Sequence, residues 1–130
     1  MTQAYGRILI VDDEPSLLRM MSVYLGRLGY QVTAVSATEK AWAEVQASPA
    51  DFALAVLDAS MPGLSMEDLA LRILAASPSA SVIAASGHPV DMTAMEAVAP
   101  GRVMFLHKPF APEMLADAVR RMLGSEKARL

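Results

Sequence analysis

The chain has 130 residues, 54% hydrophobic and 19% charged, which is enough apolar material for one domain with a real core and too much for a disordered chain. Its net charge of −3 lacks the basic footprint of a nucleic-acid binder, and the absence of cysteine excludes disulfides, thiol catalysis and thiolate metal sites. No apolar stretch approaches bilayer length, and the start, Met1 to Gly6, has neither the basic region nor the apolar segment of a signal peptide, so no membrane association and a cytoplasmic location are expected.

Taken in chain order, short apolar runs alternate with helical patterns. Ile8-Leu9-Ile10-Val11 reads as a strand ending in the acid pair Asp12-Asp13. Pro15 suits the first turn of a helix, whose Leu18, Met21, Leu25 and Leu28 recur at three- and four-residue spacing; Gly29 stops it. Tyr30 to Val35 is a second strand, and Ser36 with Glu39 fits a capping box for a helix to about Ala47. Leu54 to Leu57 is a third strand, ending in Asp58, and Ser65 with Asp68 opens a helix to about Ala76. Ser81 to Ala85 ends in the hydroxyl of Ser86. Pro89 begins a fourth helix that stops before Pro100-Gly101. Val103 to His107 ends in the ammonium of Lys108, and a last helix spans Ala111 to Leu123, closed by Gly124. A single domain over 1–130 is expected, its core at about 6–124 between short mobile tails.

Five strand–helix units with short loops imply a parallel sheet covered on both faces, wound right-handedly into a three-layer (βα)5 sandwich. Ligands of such sheets bind beyond the carboxyl ends of the strands, where Asp12, Asp13, Asp58, Ser86 and Lys108 all fall. Paired acids repel a phosphate but hold a hard divalent cation through oxygen ligands, and the cation bridges to a phosphoryl group. Acids, hydroxyl and lysine together point to phosphoryl chemistry with a metal. His88 and His107 make a poor zinc site without softer companions; the ten methionines read as core filler, and Trp42 as a packed helix residue.

The fragments Ile10-Val11-Asp12-Asp13-Glu14-Pro15, Leu57-Asp58-Ala59-Ser60-Met61-Pro62-Gly63, Ala84-Ala85-Ser86-Gly87 and Lys108-Pro109-Phe110, with intervals of 45, 28 and 22 residues counted from Asp13 through Asp58 and Ser86 to Lys108, resemble the CheY-like receiver domain of two-component response regulators over essentially the whole chain. The resemblance implies strand order 2-1-3-4-5 and a phosphoprotein whose Asp58 takes a phosphoryl group from a sensor histidine kinase or phosphotransfer protein. It also implies Mg²⁺ (or Mn²⁺) on Asp12, Asp13, Asp58 and the backbone carbonyl of Ser60. Lys108 would pair with the carboxylate and then with a phosphoryl oxygen. Ser86 would donate its hydroxyl to another, and Phe105 would be the switch aromatic that turns inward in response. Ser60 and His88 would tune hydrolysis, and the Lys108–Pro109 bond would be cis. Such a switch is not an enzyme, although it assists its own phosphorylation and dephosphorylation.

The chain departs from the family in having Phe rather than Tyr at 105, Met66 where Gly is frequent, and Arg102-Val103-Met104 where winged-helix regulators carry an acidic pair before the switch aromatic. The fourth helix is apolar on two sides, with Val90, Ala94 and Val98 in one stripe and Met92, Met95 and Ala99 in another, and only one can face the sheet. The output partner is therefore expected on the face of the fourth helix, fifth strand and fifth helix, through Met92, Met95 and Phe105, with the protein a monomer or weak dimer. The alternative is a receiver segment of a larger hybrid kinase or transcription factor. A more remote one, a Mg-dependent phosphohydrolase with an aspartyl nucleophile, would want a second acid where Ser60 stands. A flavodoxin-like module would need a hydroxyl- and glycine-rich phosphate loop in place of Asp12-Asp13-Glu14-Pro15.

Overall fold

The computed structural model describes residues 6–128, with side chains to 123, and the expected tail residues 1–5 and 129–130 lie outside it. Strands β1 (Arg7–Val11), β2 (Gln31–Val35), β3 (Phe52–Asp58), β4 (Ser81–Ser86) and β5 (Val103–His107) form one parallel sheet in the order β2-β1-β3-β4-β5. The expected architecture and strand order are both present. Helices α1 (Pro15–Arg27), α2 (Thr38–Ala47), α3 (Met66–Ala76), α4 (Thr93–Val98) and α5 (Pro112–Ala128) connect or follow the strands, with a single 3₁₀ turn at Pro49–Asp51 before β3.

Strand side chains alternate between two cores, as the pleat requires. Leu9, Val11, Ala55, Leu57, Val82 and Ala84 face one side and pack with Ala41 and Val45 of α2, Leu69, Ala70 and Ile73 of α3, and Met95 of α4. Ile8, Ile10, Leu54, Val56, Ile83 and Leu106 face the other and pack with Met21 and Leu25 of α1 and Leu115, Ala118 and Val119 of α5. Each fully buried Leu or Ile contributes about 1.5–3 kcal/mol over an exposed one, so the inner strands β1, β3 and β4, buried on both faces, anchor everything set at their carboxyl ends.

Several local expectations change. No Ser36–Glu39 capping box forms: α2 begins one residue later at Thr38, its N-cap position Ala37 has no side-chain cap, and Glu39 instead accepts from the Thr38 hydroxyl at 3.3 Å. Ser65 does cap α3, accepting from the Asp68 N–H at 3.1 Å. Pro89 does not start a helix; Asp91 takes the Thr93 N–H at 3.0 Å and the Thr93 hydroxyl at 2.6 Å, and α4 has only six residues. Gly124 does not close α5, which starts at Pro112 and continues through residues 125–128 that read as tail. Leu28 lies past the end of α1 and is exposed rather than part of its buried face. Met66, the unusual opening residue of α3, is buried in the core.

The stripe Met92, Met95 and Ala99 is the inward side of α4: Met95 and Ala99 are fully buried and Met92 packs against the same core. Met95 is thus unable to serve an exposed partner surface, contrary to expectation. The apolar residue that α4 leaves in solvent is Val98.

Candidate functional site

Parallel pairing aligns the carboxyl ends of β1, β3, β4 and β5 and brings the expected residues together. Asp12 is buried just beyond β1, its N–H donating to the Val35 carbonyl at 3.2 Å. Its Oδ1 accepts from the Glu14 N–H at 2.9 Å, and its Oδ2 lies 3.2 Å from Lys108 Nζ. Asp13, the next residue, is exposed.

Asp58 ends β3 and is 5% exposed. Its Oδ1 is crowded with donors: the Ser60 N–H at 3.2 Å, the Ser60 hydroxyl at 3.1 Å and Lys108 Nζ at 3.4 Å. Among the described residues no hydrogen bond or ion pair reaches its other oxygen, Oδ2. One oxygen is held by donors and the other is not.

Lys108 is placed by β5. Its N–H donates to the Ser86 carbonyl at 2.8 Å, and the peptide bond to Pro109 is cis, as expected. Among the described residues, its ammonium makes the only ion pairs to Asp12 and Asp58. Burial pulls the ammonium down, but its hydrogen bond and attraction to Asp12, with the charge of Asp58, outweigh that and hold it above the usual lysine value. Asp12 is pushed the other way: burial, with repulsion from Asp58, raises its carboxyl above the ordinary range despite the Glu14 N–H and Lys108.

One carboxylate oxygen from each of Asp12, Asp13 and Asp58 lies within 4.8 Å of the others. A compact set of hard oxygen donors, carrying more negative charge than one lysine neutralises, fits Mg²⁺ or Mn²⁺.

Other expected residues stand further out. Ser86 is buried, and its hydroxyl oxygen accepts the His88 N–H at 3.0 Å, so it is engaged with its own loop and not with Asp58. His88 itself is exposed. Phe105 is half-buried on β5, belongs to neither core, and meets the His107 ring edge-on with centroids 6.2 Å apart and planes at 76°. Trp42 is half-buried on α2, with the Arg72 guanidinium 5.7 Å from its ring centroid.

Thr38 went unnoticed in the sequence. It is buried, and its hydroxyl accepts the Leu64 N–H at 3.0 Å while lying 3.4 Å from the Pro62 carbonyl. Its only signal in the sequence is a hydroxyl two residues after Ser36.

Comparisons with known proteins agree with this geometry. The family model described as response regulator receiver domain matches residues 8–120. The chain is 32% identical over 124 residues to the C4-dicarboxylate transport transcriptional regulatory protein DctD of Rhizobium meliloti, covering 95% of this chain and 26% of that protein. It is 33% identical over 122 residues to the DNA-binding transcriptional regulator NtrC of the same organism, covering 94% and 25%. It thus spans about a quarter of the length of these relatives. Among solved structures, a response regulator receiver domain protein from Clostridium thermocellum superposes with a TM-score of 0.80 at 25% identity, covering 96% of this chain and 99% of that one. The receiver domain of the hybrid histidine kinase CckA gives 0.77 at 27% identity, covering 91% and 99%. With the ends of β1, β3 and β5 meeting in one acidic site and the family matched from the first strand into the last helix, this chain belongs to the response regulator receiver domains.

Proposed function

We propose that this receiver accepts a phosphoryl group on Asp58 from a phosphohistidine of its kinase or phosphotransfer partner, and that the modification changes what the domain binds. The observation that carries this reading is the asymmetry of Asp58, with one oxygen held by Ser60 and Lys108 and the other, among the described residues, without a hydrogen-bond or ion-pair partner. The free oxygen attacks phosphorus as the bond to the donor nitrogen breaks, leaving an acyl phosphate. Asp12, Asp13, Asp58 and the Ser60 carbonyl would hold Mg²⁺, which when bound would offset the charge of the phosphoryl oxygens. Lys108 then passes from the carboxylates to a phosphoryl oxygen. Ser86 gives up the His88 N–H to donate its own hydroxyl, and Phe105, edge-on to His107 and outside both cores, turns inward. His88 and Ser60 border the path of attacking water and set the lifetime of the product.

A cavity of about 520 Å³ opens beside Lys108 between the start of α1 and the loop into α5, lined by Glu14, Ser16, Leu17, Met20, Pro109 and Phe110. Its apolar wall suits the approach of a phosphodonor protein. The output belongs to a partner or domain outside these residues; the likeness to a quarter of two transcriptional regulators favours a receiver of the kind that serves a longer regulatory chain. The hydrolase alternative is disfavoured, since Ser60 spends its hydroxyl on Asp58 and no acid stands in its place.

The test is incubation with acetyl phosphate and Mg²⁺, followed by peptide mapping by mass spectrometry. A single phosphoryl adduct on the peptide containing Asp58 is expected, and an adduct elsewhere, or none, sinks the reading.

Mg²⁺ should also stabilise the fold, by about 1.4 kcal/mol when present at ten times its dissociation constant. The gain should shrink in acid. Because the native Asp12 carboxyl holds its proton more tightly than the unfolded chain does, the metal-free protein loses stability as pH rises from 3.8 through the raised value. Below that window protons already relieve the repulsion that Mg²⁺ would otherwise relieve. Thermal melts with and without Mg²⁺ across pH check this, and an equal gain at every pH would contradict it.

A further inference from the structure

The loop between Asp58 and α3 carries the Ser60 backbone, and very little holds its middle. Ala59 is tied to the sheet through its N–H to the Ala85 carbonyl at 2.9 Å, and Ser65 is fixed as the cap of α3. Among the described residues, the only hydrogen bonds that reach Met61–Leu64 from another element come from Thr38, in the first turn of α2. Its hydroxyl oxygen accepts the Leu64 N–H at 3.0 Å, and its single proton has the Pro62 carbonyl at 3.4 Å and Glu39 Oε1 at 3.3 Å within reach.

Between those two anchors sits Gly63, with φ +96°. A Cβ there would run into the Thr38 hydroxyl and come within 2.7 Å of the Glu39 carboxylate. The loop therefore lies directly on α2, in a backbone conformation that a side chain would strain. Thr38 is itself 2% exposed, and burying a hydroxyl is favourable only where its hydrogen bonds are made. Valine has the same shape but would leave the Leu64 N–H without its acceptor; serine would keep the bonds.

We propose that Thr38 is a positioning residue for the acceptor site: by clamping Pro62–Leu64 to α2 it fixes the Ser60 backbone, and with it the one metal ligand that no carboxylate supplies. The role rests on the reading of Asp12, Asp13, Asp58 and the Ser60 carbonyl as a Mg²⁺ site. Thr38 touches neither metal nor phosphoryl group, so its effect must appear in loop order and metal affinity together.

The experiment compares wild type, Thr38→Val and Thr38→Ser by amide hydrogen exchange without metal and by calorimetric titration with Mg²⁺. In Thr38→Val the Leu64 amide should exchange about five- to tenfold faster, as for loss of one hydrogen bond. The Mg²⁺ dissociation constant should rise about tenfold, as when a partner behind the direct ligands is removed. Thr38→Ser should restore both. If the valine variant does not fold, Gly63→Ala probes the same contact from the loop side and should weaken Mg²⁺ binding comparably; wild-type affinity there overturns the proposal. Unchanged exchange in a folded Thr38→Val overturns the clamp. Faster exchange with wild-type Mg²⁺ affinity overturns the positioning role alone. A wild-type protein that takes up no Mg²⁺ overturns the metal reading, and the role of Thr38 falls with it.

Discussion

Replacing Asp58 by alanine should abolish labelling by acetyl phosphate and Mg²⁺ altogether. Three donors converge on one Asp58 oxygen, and among the described residues the second oxygen has no hydrogen-bond or ion-pair partner. Under the proposed assignment the attacking atom is this second oxygen, on a buried carboxylate. Asp12 offers no substitute, since its two oxygens are engaged by the Glu14 N–H and by Lys108. Asp13 is exposed and lacks that frame of donors. Alanine removes the proposed nucleophile without adding bulk, and two of the three clustered carboxylates, Asp12 and Asp13, survive. Intact-mass analysis of the variant after prolonged incubation is the check, and a stable adduct on it would disprove the assignment.

Replacing Lys108 by alanine should slow labelling by about 10²–10³-fold, the usual cost of removing one preorganised charge from a reacting centre. Its ammonium sits 3.2 Å from Asp12 and 3.4 Å from Asp58, so it already stands where negative charge accumulates when a phosphoryl group arrives. Those two ion pairs also make it the main counterweight to a cluster of three carboxylates. The metal-free variant should therefore melt at a lower temperature than wild type, with much of the loss recovered on adding Mg²⁺. Labelling rates at saturating Mg²⁺ separate the two effects. A variant that labels at the wild-type rate there would show that Lys108 balances charge in the resting state and does nothing for transfer.

The inner architecture was legible because each inner strand is an apolar run ending in a chemically distinct residue. Ile8 to Val11, Leu54 to Leu57 and Ser81 to Ala85 are buried on both faces, which is what unbroken apolar runs in a parallel sheet mean. Parallel pairing then guarantees that Asp12, Asp58, Ser86 and Lys108 share one end. Local signals read less well where two neighbours competed. Ser36 and Thr38 both offered a hydroxyl near the start of α2, and only tertiary structure shows that Thr38 is needed by Pro62 and Leu64, more than twenty residues away. Pro89 looked like a first-turn proline, yet Asp91 folds back on Thr93 and delays the helix. Gly124 looked like a stop, but a glycine inside a helix costs only about 1 kcal/mol and α5 runs through it. The two stripes of α4 were visible in the sequence; which of them faced inward depended on how a six-residue helix docks, and burial of Met95 decided it.

Arg102, just before the start of β5, bears on how the domain moves. It reaches across the far end of the sheet, Nε donating to the Ala80 carbonyl at 2.8 Å and Nη2 to the Ser77 carbonyl at 3.3 Å, while its own carbonyl takes the Val82 N–H at 2.8 Å. The roots of β4 and β5 are thereby stapled to each other and to the end of α3. These bonds oppose a lengthwise slide of the strands, so a shift begun at Ser86 or Lys108 is expected as a swing of their tips about the held base, like the jaws of a tweezer. Amides near Val82, beside the held base, should stay protected from exchange even when those around Ser86 and Phe105, at the free tips, open.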